Sequence, residues 1–409
     1  MAERKASEVV DVDGNRYIDC LNNFTSLIHG GASNSVVTAA TGQMAQGITF
    51  GSPSPVAIDL AEELVRRINS IEALRFCNSG TEAVMHAVRA ARAFTNRSKI
   101  LRFQRGYHGS HELVALADRV SSIDPDDPET SAYLHGTGIT HATYGETVIA
   151  PYNDLEAAEA AMARFGDACA AILVEPMQNA GGGTVGSAEF LHGLGRVARR
   201  VGALLILDEV VTLRLALGGM QSNLQLTPDL TVLGKIIGGG FPIGAFGGRE
   251  DVMDVYLPGH GRVQQSGTFN ASPVSMVAGM AALADYGEAD ICRLNALGGS
   301  LAKQVAALVA ERDLPITVAG QGSLFTATWR GEPRVQAFPI DGSAPTFDPQ
   351  YAVYLACMIN GVQIAPRGLF ALSTPMDSSV IDEIVRRLTR ALDMVHELNI
   401  HTRAREAAL

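Results

Sequence analysis

No apolar run in this 409-residue chain approaches the roughly 20 residues that a bilayer-spanning helix needs. The N-terminal stretch, Met1 to Glu8, is charged and has no apolar core behind it, so it does not read as a signal peptide. Cysteine is sparse. Cys20, Cys77, Cys169, Cys292 and Cys357 are scattered, with no C-x-x-C pair, which implies neither a metal site of the zinc type nor a disulfide framework. A reducing, cytoplasmic compartment is the expectation. Basic surplus is missing too: 32 Lys and Arg face 43 Asp and Glu, a formal charge of −11, which argues against gripping nucleic acid. There is no internal repeat and no low-complexity linker. Two glycine-rich phosphate patterns also fail. Gly238-Gly239-Gly240 lacks the G-x-G-x-x-G spacing, and Lys235 is followed by Ile236 where a phosphate loop needs Ser or Thr. What remains, 47% hydrophobic and 18% charged residues, suffices for one large domain and a smaller one.

The chain is organised around residues 208–235. Ala203-Leu204-Leu205-Ile206-Leu207 is a short apolar run ending in Asp208-Glu209, the pattern of a buried strand with acids at its carboxyl end. Open α/β sheets place their ligands at that end. A second run, Leu230-Thr231-Val232-Leu233, leads to Gly234 and Lys235, a lysine set among apolar residues and glycines. Taken alone, such a lysine is usually a surface residue and such an acid pair a cap or solvated turn. A desolvated lysine, however, has a lowered pKa and becomes a nucleophile. A buried acid with a desolvated lysine is what pyridoxal phosphate (PLP) chemistry requires: the amine takes the aldehyde, and the acid keeps the pyridine nitrogen protonated.

Other stretches fit around this pair. Val9 to Asp19 reads as a hairpin turning at Asp13-Gly14. Asn22 to Gly31 has no clear period and reads as a loop. Residues 55–69, 188–201, 274–286, 300–311 and 378–398 have helical spacing, and 317–330 reads as strand. Leu74 to Cys77 leads to Asn78-Ser79-Gly80-Thr81-Glu82 and then a helix. Ser79 with Glu82 is a capping box, and the same helix start could seat a phosphate, with Gly80 allowing close approach and the Ser79 and Thr81 hydroxyls adding donors. Lys99 to Phe103 reads as a strand that runs into Gly106-Tyr107-His108-Gly109, whose aromatic could be core filler, a surface turn or a ring-stacking group. Residues 118–146 are polar and long for a plain connection, so a functional lid is expected there. Ala171 to Glu175 is another strand ending in an acid. Alternating strands and helices predict a parallel sheet with right-handed crossovers. The expected limits are 1–48 and 288–409 for the two parts of a small domain, and 49–287 for a large one.

Taken in order, Asn78-Ser79-Gly80-Thr81-Glu82-Ala83, Gly106-Tyr107-His108-Gly109, Glu175-Pro176, Asp208-Glu209-Val210, Gly234-Lys235 and Ser266-Gly267-Thr268 resemble the class III aminotransferases of PLP fold type I. The branch they most resemble holds glutamate-1-semialdehyde aminomutase and the β-phenylalanine (β-amino acid) aminotransferases, and the likeness covers residues 9 to 395. It implies an α/β fold with a mostly parallel sheet flanked by helices, plus a smaller α+β domain from the two chain ends. It implies Lys235 as the Schiff-base lysine and proton carrier, and Asp208 as partner of the pyridinium nitrogen. Tyr107 would stack on one ring face with His108 beside it, and Val210 would cover the other. Ser79, Gly80 and Thr81 would hold the phosphate, completed by Thr268 of a second subunit in a homodimer. Two half-reactions through pyridoxamine phosphate would pass an amino group from a small-molecule donor to a keto acid. Arg367, in Pro366-Arg367-Gly368, matches an arginine that binds the acceptor carboxylate in the β-amino acid enzymes, a task suited to its bidentate geometry. His29 and Glu175 could line the pocket or be structural. Two departures stand out. Many relatives carry glutamine, contacting the ring hydroxyl, where this chain has Val211; the aminomutase branch is apolar there as well. Relatives also carry several tens of residues before the hairpin, including a substrate-binding arginine for which no position here is a match.

Overall fold

In the computed structural model, residues 1–114, 138–259, 261–330 and 348–406 are described, with side chains to residue 398. Residues 118–137 of the expected lid lie outside the described residues; its last part includes a short helix, His141–Gly145. The chain forms two compact units. One comprises residues 34–181 and 185–288, the other residues 1–33, 182–184 and 289–409.

The larger unit is built on a seven-stranded sheet. Its order is Ala73–Cys77, Gly244–Gly248, Leu230–Gly234, Leu204–Asp208, Cys169–Val174, Lys99–Phe103 and Thr147–Ala150. The last five are parallel to one another, and only Gly244–Gly248 runs against its neighbours. Strand residues alternate between two cores, as the twofold side-chain period dictates. Leu204 and Ile206 pack with Val84, Ala87 and Val88 of the helix Gly80–Thr95 on one face. Leu205 and Leu207 pack with Phe190, Leu194 and Val197 of the helix Ala188–Val201 on the other. With both faces covered, the strands carry continuous apolar runs. The helix Asn34–Gln46 belongs to this unit because Val36 packs with Ala278 and Ala282.

The antiparallel strand Gly244–Gly248 is the exception in the mostly parallel sheet. Its sequence, Gly-Ala-Phe-Gly-Gly, carries almost no β signal; the glycines are there for closeness. A Cβ on Gly244 would lie 2.1 Å from the Ser79 carbonyl oxygen, a backbone atom that cannot yield. Gly244→Ala is therefore expected to cost about 1–3 kcal/mol, read as a lower urea midpoint, because the strand must move off its neighbour. An unchanged midpoint would contradict this packing.

In the smaller unit, Glu3–Lys5, Glu8–Val10, Arg16–Asp19 and Val362–Gln363 form a four-stranded sheet. Ile316–Gln321, Leu324–Trp329 and Leu369–Ala371 form an antiparallel three-stranded one. The expected hairpin pairs Val9 with Tyr17. The helix expected from residue 300 instead begins twelve residues earlier and spans Glu288–Glu311. Gly298-Gly299 masks it in the sequence, yet Gly298 is needed where the helix meets the Gly322 carbonyl. The stretch expected as a loop after Asn22 is ordered backbone. Asn22, Asn23, Phe24 and Thr25 have φ of 50, 49, 52 and 74°, one left-handed turn. Such residues cost roughly 1–2 kcal/mol each. The buried Asp19 carboxylate offsets part of that cost by accepting the Leu21 and Asn22 N–H groups at 3.0 and 2.8 Å.

Candidate active site

The sheet order gathers the motifs. Leu204–Asp208 is the central strand, and Asp208 closes its carboxyl end. The parallel strand on one side, Leu230–Gly234, delivers Lys235 to the same edge, and the parallel strand on the other, Cys169–Val174, delivers Glu175. Lys99–Phe103, parallel again, leads to Tyr107 and His108. Ala73–Cys77 pairs with Gly244–Gly248, itself antiparallel to Leu230–Gly234, so the Ser79-Gly80-Thr81 turn also falls on this edge.

Asp208 is buried, and one carboxylate oxygen lies 2.9 Å from His108 Nδ1; the other accepts the Val210 N–H at 3.1 Å. Glu209, one residue on, points to the opposite side and does different work. It accepts the Thr212 hydroxyl and the N–H groups of Met220 and Gln221, so it secures the loop that follows the strand. Burial lifts its carboxyl to about 6 against those hydrogen bonds. The two acids that look alike in sequence are separated by strand alternation.

Lys235 is half-buried and has φ +53°, a left-handed conformation that lysine rarely adopts, immediately after the extended Gly234. Such strain persists only where its surroundings enforce it, and it clusters at functional sites. Burial pulls the ammonium pKa down, while Asp208 and Glu175 push it back up. Of the chain's four lysines, Lys5, Lys99, Lys235 and Lys303, Lys235 is the one at this edge. Glu175 is raised well above the usual carboxylate range, chiefly by burial and next by Asp208, which favours its neutral form. Its side chain accepts the Tyr107 N–H at 2.8 Å, and Tyr152 donates to its carbonyl at 2.8 Å. Glu175 therefore fixes the backbone of the Tyr107 loop and leaves the Tyr107 ring half exposed, at 52%.

Ser79 caps the helix Gly80–Thr95 by accepting the Glu82 N–H at 3.1 Å; Glu82 in turn accepts the Asn78 N–H at 2.7 Å. The capping box thus forms with its return bond shifted by one residue. It leaves the first N–H groups of the helix pointing outward, with the dipole's positive end behind them. A Cβ on Gly80 would sit 3.2 Å from both Val210 methyls, and the Val210 side chain also meets Gly234. These three motifs, remote in sequence, form one wall. Thr81 Oγ1 accepts the Ser110 N–H at 3.3 Å. Thr268 is exposed on a turn whose Asn270 is bonded to Asn78 at 2.8 Å.

His29 and Arg367 belong to the smaller unit. His29 Nδ1 lies 2.8 Å from Thr374 Oγ1, and Arg367 is exposed on the turn between Val362–Gln363 and Leu369–Ala371. The sequence reading missed the contributions of Asn78 and Tyr152; isolated polar residues carry no periodic signal to announce them.

The donor set suits PLP: a lysine of lowered pKa, a buried acid for a cationic ring nitrogen, a glycine cradle against Val210, and a helix N-terminus for a phosphate. The family model described as aminotransferase class-III matches residues 1–392. A glutamate-1-semialdehyde 2,1-aminomutase of Opitutus terrae is 37% identical over 394 residues, covering 95% of this chain and 90% of the relative. Among solved structures, an omega-transaminase from Sphaerobacter thermophilus has a TM-score of 0.87 at 37% identity, covering 96% of this chain and 90% of that one. A β-phenylalanine aminotransferase from Variovorax paradoxus has a TM-score of 0.81 at 34% identity, covering 95% and 85%.

Proposed function

The chain belongs to the class III aminotransferase family and is a PLP-dependent enzyme, and from that premise we propose that it moves an amino group from a β-amino acid or ω-amine to a keto acid such as pyruvate or 2-oxoglutarate. One observation carries the assignment of residues: three adjacent parallel strands deliver Glu175, Asp208 and a left-handed Lys235 to one edge. The bound cofactor supplies an electron-accepting ring. Lys235 would hold it covalently and would supply the base that moves the proton on the substrate carbon. Asp208, held by His108 at 2.9 Å, would pair with the ring nitrogen and keep it cationic. Val210 and the Tyr107 ring would cover its two faces. Ser79, Gly80 and Thr81 bind the phosphate, completed by Thr268 of a second copy in a homodimer, for which the exposed position of Thr268 is the support.

The donor and acceptor follow from likeness to the omega- and β-phenylalanine transaminases and from Arg367 as the keto acid's carboxylate partner, with His29 lining the pocket. Arg367→Ala is expected to raise KM for keto acids about 10- to 100-fold, the worth of a charge-assisted pair, and to leave KM for simple amines nearly unchanged. Equal effects on both would overturn this role. The curated relatives' names favour a second reading, a 2,1-aminomutase that shifts an amine within one molecule. Turnover that requires a separate keto acid supports the transaminase; conversion of glutamate-1-semialdehyde without one supports the mutase.

A further inference from the structure

In the smaller unit, residues 22–28 and 371–374 are joined to each other at both ends. Asn22 Nδ2 donates to the Ala371 carbonyl at 2.7 Å, and the Thr374 N–H donates to the Ile28 carbonyl at 2.9 Å. The two segments therefore close a small ring. Asn22, Thr25 and Ser373 lie within it, and all three are wholly buried. Each keeps a side-chain oxygen without a hydrogen-bond partner among the described residues: Asn22 Oδ1, Thr25 Oγ1 and Ser373 Oγ. The Asn22 amide cannot be turned the other way, because the Ala371 carbonyl needs its N–H end. Buried oxygens are normally paired, since the water they gave up must be replaced. Three in one ring call for a shared ligand.

The backbone groups these oxygens. Asn22 and Thr25 stand three apart in a left-handed turn, which brings their side chains to one side of it. Ser373 sits between Ala371 and Thr374, the two residues that make the links. Four successive non-glycine residues are held left-handed here, which costs energy that the packing alone does not return. Asp19 stabilises the entry to the turn, but its carboxylate is already committed to the Leu21 and Asn22 N–H groups and to Arg4 at 3.1 Å.

The chemistry of the three oxygens selects the ligand. One belongs to a carboxamide and two to hydroxyls, so none carries charge, and Asp19 is balanced by Arg4. Divalent calcium or magnesium is held by carboxylates, and transition metals by imidazole or thiolate. An anion would face the carboxamide oxygen, which only accepts. A monovalent cation, by contrast, exchanges its hydration shell for neutral oxygens. We propose that Asn22, Thr25 and Ser373 bind a sodium or potassium ion through these oxygens, and that the ion holds the left-handed turn in place. The site does not depend on the placement of PLP.

The test is thermal unfolding of the purified, PLP-loaded full chain in choline, sodium and potassium chloride at equal ionic strength. Sodium or potassium is expected to raise the Tm by about 2–4 °C over choline, because a ligand that binds only the folded state stabilises it. Thr25→Val keeps the branched shape, and with it the backbone cost, but removes one oxygen; Ser373→Ala removes another. The rise is expected to vanish in both. Should Thr25→Val not fold, Ser373→Ala and the salt comparison on the unsubstituted chain decide the matter. Equal Tm values in the three salts overturn the proposal and put a water in the ion's place. A rise that persists in either variant also overturns it, by placing the cation elsewhere.

Discussion

Lys235→Ala is expected to lose the lysine-dependent visible absorption of the PLP-loaded protein and to reduce turnover by on the order of 10⁴-fold or more, the scale seen when a covalent catalytic group is removed. The reason lies in position as much as chemistry. A left-handed backbone after an extended Gly234 turns the side chain into the edge where Asp208 and Glu175 end their strands. No other lysine can substitute. Lys99 lies on a partner strand with its ammonium over the Phe165 ring, and Lys5 and Lys303 are exposed on the smaller unit. Folding should survive, because the variant relieves a burdened site: burial penalises the ammonium, and the alanine removes it. Activity retained within tenfold would remove the basis of the proposal.

The second large effect belongs to Asp208→Asn. It keeps shape and hydrogen-bonding capacity but removes the charge that holds the ring nitrogen protonated. Turnover is expected to fall about 10²–10³-fold, the range for losing one preorganised electrostatic partner, while part of the PLP affinity remains through the phosphate seat and Lys235. The His108 contact at 2.9 Å sharpens this expectation. With a carboxylate, the imidazole can donate through Nδ1; with an asparagine, the carboxamide can turn and present N–H to it, so orientation is lost along with charge. Glu209→Gln is the control. Glu209 secures the 212–221 loop by three accepted hydrogen bonds and faces away from Asp208, so its substitution should lower stability more than it lowers turnover.

The parts of this fold legible in the sequence are those where burial on both faces forces a continuous apolar run. Leu204 to Leu207 and Leu230 to Leu233 are examples, and each announces a strand whose next residue is at the sheet's functional edge. The capping pattern at Ser79 and Glu82 was legible for the same reason, because it meets a local requirement. What escaped is long-range. The strand Gly244–Gly248 exists because three backbones approach closely, and glycine leaves no hydrophobic signature. The helix Glu288–Glu311 hides behind Gly298, chosen for its contact with Gly322 rather than for helix propensity. The left-handed turn at Asn22–Thr25 depends on Asp19, whose carboxylate is committed to that turn and to Arg4 at 3.1 Å. Within the site, the division of labour between Asp208 and Glu209 follows from strand alternation once the strand is known.

The claim on which all else depends is that PLP is bound through the amine of Lys235. Borohydride reduction of the PLP-loaded chain fixes the link permanently, and digestion followed by mass spectrometry locates it among four lysine-containing possibilities. The account predicts the cofactor's added mass on the peptide carrying Lys235 and on no other. Label at Lys5, Lys99 or Lys303, or none on Lys235 in a protein that retains PLP, would contradict it.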